Sequence, residues 1–332
     1  MVYFSRLGFI FSAALILLTS CWTDNNPTTG ARVGDFYHTP DSYQDHRDQQ
    51  QLFTHNDHKI AYTDTGVKNP DAKTLILLHG VPTSSWMYRK VISGLQKNMR
   101  VITIDFLGYG SSDKPEADDT IYLHEKQAER TLALLDHLGV EQFSVLMHDM
   151  GGLVAWELMR SSKNKIKNLI VLNTVINKTG FENPDIDARF FTRQMMKAYN
   201  NPVTSAVILK KTFDDLGLVN EHKLNEAECY GYVAPIREGS DGALFSFYSQ
   251  LDEKLFARLE ENRLHFKGYT GKTLILWGAK DKTLTTKQIP ILQETLSIPD
   301  QNIHIYPDNA HFLAEEIPDE IVGKVTDFLK SE

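Results

Sequence analysis

The sequence predicts an α/β protein: a doubly wound, mostly parallel sheet with an inserted helical lid. Short apolar runs of strand length alternate with amphipathic helical stretches, the pattern of a buried parallel sheet covered by helices on both faces. Between about Asn177 and Phe266 that alternation stops. A helix-like, aromatic-rich stretch punctuated by Pro184, Pro202, Pro235 and Gly239 takes its place. A third observation locates the chemistry. In Phe143-Ser-Val-Leu-Met-His148-Asp149-Met150-Gly151-Gly152 an apolar run meets an acid, two glycines and an apolar helical pattern. This is the layout of a sharp strand-to-helix turn that presents a nucleophile at the end of a strand.

At 332 residues, with 42% hydrophobic and 23% charged residues, the chain has material for a sizeable core and one inserted segment. A net charge of -8 and a pI near 5.8 argue against a nucleic-acid partner. Met1 to Ser20 reads as a signal peptide, with Arg6 in a positive n-region and Leu7 to Leu18 as an apolar stretch short for a membrane span. It ends Leu18-Thr-Ser-Cys21, similar to the lipobox of bacterial lipoproteins, so cleavage before Cys21 and its acylation are expected. A plain signal peptide cut near Ser20 is the alternative. The chain would then be exported and lipid-anchored to the cell envelope, at the outer membrane or cell surface. Cys229 has no activating base among its sequence neighbours and reads as a small buried hydrophobe.

Residues 21–50 have the composition of a polar linker; fully extended they would reach on the order of 90 Å. Leu52 to Thr63 alternates around Asn56-Asp57, as in a hairpin. Buried strands are predicted at Thr74–Leu78, Arg100–Ile104, Phe143–Met147, Leu169–Val175, Thr273–Trp277 and Ile303–Tyr306, and an amphipathic helix over Tyr122–Leu138. The core thus divides into residues 51–176 and 267–332, with residues 177–266 as the lid between them.

Three residues at strand ends carry the predicted chemistry. Asp149 follows one strand, Asp281 follows Leu274-Ile-Leu-Trp-Gly278, and His311 follows the last strand in Asp308-Asn-Ala-His-Phe-Leu313. In parallel α/β sheets such loops converge where ligands bind. Singly, Asp281 reads as a turn residue, His311 as a structural histidine and Asp149 as a helix cap. Together they form a nucleophile, acid and base in the chain order nucleophile, acid, histidine. A carboxylate attacking an ester would give a labile anhydride, so an sp3 carbon bearing a leaving group is the better target, with an alkyl ester as intermediate. Leu77-Leu-His79-Gly80-Val81-Pro82 supplies one backbone N–H, from Val81, beside that of Met150. The pair is expected to hold an oxyanion and to keep Asp149 ionised. His148 is expected to pack beside this turn and point away from substrate.

The segments His79-Gly-Val-Pro-Thr-Ser-Ser-Trp-Met-Tyr-Arg-Lys90, Asp105-Phe-Leu-Gly-Tyr-Gly-Ser-Ser-Asp-Lys-Pro115, His148-Asp-Met-Gly-Gly152, Gly278-Ala-Lys-Asp281 and Ala310-His-Phe-Leu-Ala-Glu-Glu316 resemble the haloalkane dehalogenase and epoxide hydrolase branch of the α/β-hydrolase superfamily. The resemblance spans residues 50 to 332. It implies that Asp281 is the acid, since the alternative family position holds Asn173, and that the halide-binding tryptophan of dehalogenases is replaced by Met150, with Val81 at a second donor position. A methionine thioether has no N–H to offer a halide. Epoxide hydrolases use lid tyrosines as proton donors; Tyr248 is placed similarly to one of them and Tyr199 roughly to the other, among lid tyrosines that include Tyr230 and Tyr232.

These residues predict a hydrolase that uses water and a small, uncharged apolar substrate, with no cofactor and no metal. Epoxide opening is favoured, and haloalkane dehalogenation is the alternative. A catalytically silent surface-binding lipoprotein is the rival from another class, and a carboxylate at position 149 disfavours an ordinary esterase.

Overall fold

Among the described residues the apolar runs pair into a single eight-stranded sheet whose strands, numbered in chain order, lie side by side as 1-2-4-3-5-6-7-8. The computed structural model describes residues 41–66, 72–118, 120–182, 213, 224–266 and 268–330; the leader, Cys21 and Tyr199 lie outside them. The strands are β1 (Gln51–His55), β2 (His58–Asp64), β3 (Thr74–Leu78), β4 (Arg100–Ile104), β5 (Phe143–Asp149), β6 (Ile166–Thr174), β7 (Lys272–Gly278) and β8 (Ile303–Tyr306). β1 and β2 run antiparallel through an Asn56-Asp57 turn with both residues at positive φ, as a two-residue hairpin requires. β2 is antiparallel to β4, and all later pairs are parallel. The central strands β3, β5, β6 and β7 are buried along almost their whole length, so they read as continuous apolar runs rather than alternations.

The helices are α1 (Asp41–Asp48), α2 (Arg89–Leu95), α3 (His124–His137), α4 (Met150–Ser162), α5 (Glu226–Pro235), α6 (Asp241–Ser249), α7 (Glu253–His265), α8 (Gln288–Leu296), α9 (Leu313–Glu316) and α10 (Pro318–Lys330). Helices α5 to α7 lie between β6 and β7, within the stretch read as a lid. Asn225 and Glu228 close a capping box at the start of α5, and Asp252 accepts from the first turn of α7. The buried carboxylate of Glu157, on α4, accepts from Arg258 at 2.9 and 2.8 Å and from Asn262 at 2.8 Å, which ties α7 to the core. Among the described residues no helix is long and apolar enough to cross a membrane.

One expectation fails at the amino-terminal edge. Residues 41–50, read as the end of a linker, form α1 and pack onto the body, and the compact unit begins at Thr39. Tyr43 is 2% exposed, edge-on to Trp86 at 5.2 Å and to Tyr230 at 5.6 Å. His46 Nε2 lies 3.1 Å from Ser85 Oγ, and Gln50 Nε2 donates to Asp105 at 2.8 Å. Arg47 pairs with Glu238 at 2.6 Å. The sequence Asp-Ser-Tyr-Gln-Asp-His-Arg-Asp looks like linker because one aromatic anchor carries the packing and its neighbours are polar.

Tyr43→Ala removes that anchor and leaves a cavity against Trp86, so it should cost about 3 to 5 kcal/mol of unfolding free energy. Urea denaturation checks this, with a shift in midpoint at unchanged m-value as the expected outcome.

Candidate active site

The turn from β5 into α4 holds Asp149 at φ 51, ψ -120, a conformation that costs a non-glycine residue on the order of 1 to 3 kcal/mol. The surroundings impose it. Thr174 Oγ1 donates to the Asp149 carbonyl at 2.6 Å, and a Cβ on Gly151 would come 2.2 Å from the Leu78 carbonyl oxygen. Gly80 is held equally close, because a Cβ there would fall 2.4 Å from that of Asp149. The Asp149 side chain therefore leaves the sheet edge directly beside the loop that follows β3.

The Val81 N–H donates to Asp149 Oδ1 at 2.8 Å, and the Met150 N–H also bonds the carboxyl. Both backbone donors named from the sequence thus converge on one carboxylate. Burial raises the Asp149 pKa above the ordinary aspartate value, with His311 and the Val81 and Met150 N–H groups pulling against it. The sequence suggests that those N–H groups dominate; the desolvation of a largely buried carboxyl outweighs them. The loop itself is set by His79, whose Nε2 accepts from the Phe106 N–H at 3.1 Å, leaving Nδ1 to donate to the Gly80 carbonyl at 2.8 Å.

His311 Nδ1 lies 2.6 Å from Asp281 Oδ2, and its Nε2 lies 3.6 Å from Asp149 Oδ2. A carboxylate only accepts, so the ring proton sits on Nδ1 and the Nε2 lone pair of the neutral ring is on the Asp149 side. Asp281 is buried and fully engaged. Oδ1 accepts the Thr283 and Leu284 N–H groups at 2.8 and 2.9 Å, while Oδ2 accepts His311 and Asn173 Nδ2, the latter at 2.8 Å. Asn173, set aside in the sequence as unable to supply a charge, orients the acid instead. Its Oδ1 also takes the Gly278 N–H at 2.9 Å. Burial alone would lower the His311 pKa, but the Asp281 charge and hydrogen bond, then Asp149 and Glu316, raise it above the ordinary histidine value.

The structure brings Asp149, Asp281, His311, Val81 and Met150 together as one cluster. His148 is fully buried, its ring 4.3 Å from that of His311 and its Nε2 3.0 Å from the His311 carbonyl, consistent with packing beside the turn. Tyr109, which sequence reasoning passed over, is buried beside His79, and its phenol is held well above the usual value by burial and then by Tyr248 and Asp149. Tyr248 on α6 is thereby placed in electrostatic reach of the same corner. Of the lid tyrosines, Tyr232 is buried with its hydroxyl donating to Glu315. Cys229 is buried. Among the described residues no group of three or more His, Cys, Asp or Glu side chains is arranged to hold a metal ion.

The profile of the alpha/beta hydrolase fold family matches residues 73–318. Haloalkane dehalogenase 2 of Mycobacterium tuberculosis is 27% identical over 273 residues, covering 80% of this chain and 90% of that protein. Epoxide hydrolase 3 of Xenopus tropicalis is 25% identical over 272 residues, covering 78% and 71%. The crystal structure of a haloalkane dehalogenase from Bradyrhizobium elkanii superposes with a TM-score of 0.67 at 21% identity, over 85% of this chain and 97% of that one.

The electrostatics of His311 give a direct expectation. NMR titration of its ring should show a midpoint above about 6.5, the ordinary histidine value. Asp281→Asn should lower that midpoint, because it removes the largest favourable interaction of the imidazolium. Any chemistry that needs the neutral ring is then lost as pH falls through this raised value.

Proposed function

The chain belongs to the α/β-hydrolase fold family, within its haloalkane dehalogenase and epoxide hydrolase branch, and from that premise we propose that it hydrolyses epoxides through a covalent ester on Asp149. The Asp149 oxygen outside the Val81 hydrogen bond attacks an sp3 ring carbon. The C–O bond to the epoxide oxygen breaks, and the released alkoxide takes a proton from a lid tyrosine, with Tyr248 and Tyr199 as the candidates. Water then attacks the ester carbonyl and passes a proton to His311 Nε2, while Asp281 holds the imidazolium. The Val81 and Met150 N–H groups carry the oxyanion that develops on Oδ1. On collapse the bond from the Asp149 carbonyl carbon to the substrate oxygen breaks, and that oxygen takes the proton of the new hydroxyl to release the diol and leave the Asp149 carboxylate. The proton on His311 returns through solvent to the tyrosinate.

The observation that favours an epoxide over a haloalkane is the fate of the indole N–H groups. A departing halide needs buried N–H donors, yet Trp86, Trp156 and Trp277 each donate to a backbone carbonyl, at 3.0, 2.9 and 3.1 Å to Glu228, Val175 and Leu284. The residue after Asp149 is the buried Met150, which has no side-chain donor. Dehalogenation remains the second reading, supported by the similarity to haloalkane dehalogenases. A silent binding lipoprotein has no use for a base paired to a buried acid.

His311→Ala should still be alkylated and then stall, because the base acts only on the ester. Intact mass after exposure to an epoxide panel should rise by one substrate group on the Asp149 peptide, and the natural protein should release diol. Halide release from bromoalkanes, unaccompanied by diol from any epoxide, would make the dehalogenase reading the better one.

We further propose that Cys21 carries the lipid of an exported lipoprotein, on the strength of the Leu-Thr-Ser-Cys sequence behind an apolar leader. Cys21→Ser should move the protein from the membrane to the soluble fraction or leave an uncleaved precursor. Unchanged fractionation with no lipid mass on the mature amino terminus would reject the anchor.

A further inference from the structure

Four residues beyond His311, the carboxylate of Glu315 is completely buried on α9. Its Oε1 accepts from Arg89 and from the Tyr232 hydroxyl, and its Oε2 accepts from Arg89 Nη2 at 2.9 Å and Lys90 at 3.0 Å. Arg89 and Lys90 also pair with Glu228 at 2.9 and 2.7 Å, so two acids and two bases balance. The guanidinium lies 4.3 Å over Trp86. Such a cluster is costly to bury and confers geometry more than stability. It joins three pieces: the start of α2 beyond the Val81 loop, the lid helix α5 and the segment that follows His311.

The connection from Glu315 to His311 is short and stiff. The N–H groups of Glu315 and Glu316 both bond the Phe312 carbonyl, and the Phe312 ring is edge-on to His311 at 5.0 Å. Glu316 reaches back to accept the Ala310 N–H with both oxygens at 3.1 Å and Asn309 Nδ2 at 3.0 Å. Both glutamates thus stand on α9 just after the histidine, Glu316 holding the loop before it and Glu315 reaching to the lid helix α5. Asp149 is held separately, by Val81, Met150 and Thr174.

We propose that Tyr232 and Glu315 are positioning residues for the second chemical step: the Tyr232–Glu315 hydrogen bond registers the lid helix against the His311 loop, so that His311 addresses the ester only when α5 is seated. This rests on the two-step reading above. The bond governs ester hydrolysis and leaves alkylation alone, since no atom of the cluster touches Asp149 or its two N–H donors. Tyr232 is on this account a tether, and the proton donors to substrate are other lid tyrosines.

Tyr232→Phe removes a single hydroxyl and keeps the ring. Single-turnover kinetics with styrene oxide and with 1-bromohexane, followed by intact mass, should show alkylation within about twofold of the natural protein and ester hydrolysis slowed about tenfold or more, as small misplacements of a catalytic group do. Hydrolysis at the natural rate would overturn the proposal. So would equal slowing of both steps, which marks a merely structural residue, or slowing of alkylation alone, which marks contact with substrate. If neither compound labels Asp149 even in His311→Ala, the two-step reading is what fails, and the 15N signals of the His311 ring decide. Tyr232→Phe should shift them, and unchanged signals and titration midpoint would reject the coupling.

Discussion

The close approach of backbone at the end of β5 is the constraint on which the rest of the site depends. Asp149 can hold a positive φ only because Gly80 and Gly151 leave no side chain between it and the β3 edge, and because Thr174 fixes its carbonyl. The energy stored there is small beside the packing of four strands buried along almost their whole length. In return the carboxylate stands where two N–H groups and a histidine reach it.

Around that turn, each member of the cluster is held by a partner outside it. His79 sets the Val81 loop through two backbone hydrogen bonds, Asn173 fixes Asp281, and Glu316 fixes the loop of His311. Asp281 accepts four hydrogen bonds, which offsets the cost of enclosing its charge. The raised value of His311 follows from three carboxylates outweighing burial, and the raised value of Asp149 from burial outweighing His311 and two N–H groups. Both values rise, yet the shift favours the charged form of His311 and the neutral form of Asp149, because the carboxylates around the histidine outweigh its burial while the groups around Asp149 do not.

Among the polar contacts that join the lid to the core, two engage buried carboxylates. Glu157 receives Arg258 and Asn262 from α7, and Glu315 receives Tyr232 from α5. Hydrogen bonds of this kind have one good geometry, whereas apolar contact tolerates sliding, so they set where lid residues such as Tyr248 stand. The amino-terminal helix α1 adds a third contact, with Tyr43 against Tyr230 and Arg47 against Glu238.

The sequence by itself determined the sheet and named the residues that the structure gathers at its edge. Strands β3, β4 and β8 were legible to the residue, because each is a short run rich in β-branched and apolar residues that ends where the polar loop begins. Asp149, Asp281 and His311 were legible because strand ends and glycine spacing are local signals. Tertiary structure decided what depends on groups distant in the chain. Asn173 and Asp281 are 108 residues apart, Tyr232 and Glu315 are 83 apart, and Gln50 reaches Asp105 from a segment whose composition reads as linker. A hydrogen bond across such a separation leaves no periodicity in either segment, and burial that reverses the expected balance at Asp149 is a property of the enclosing fold, not of the residue.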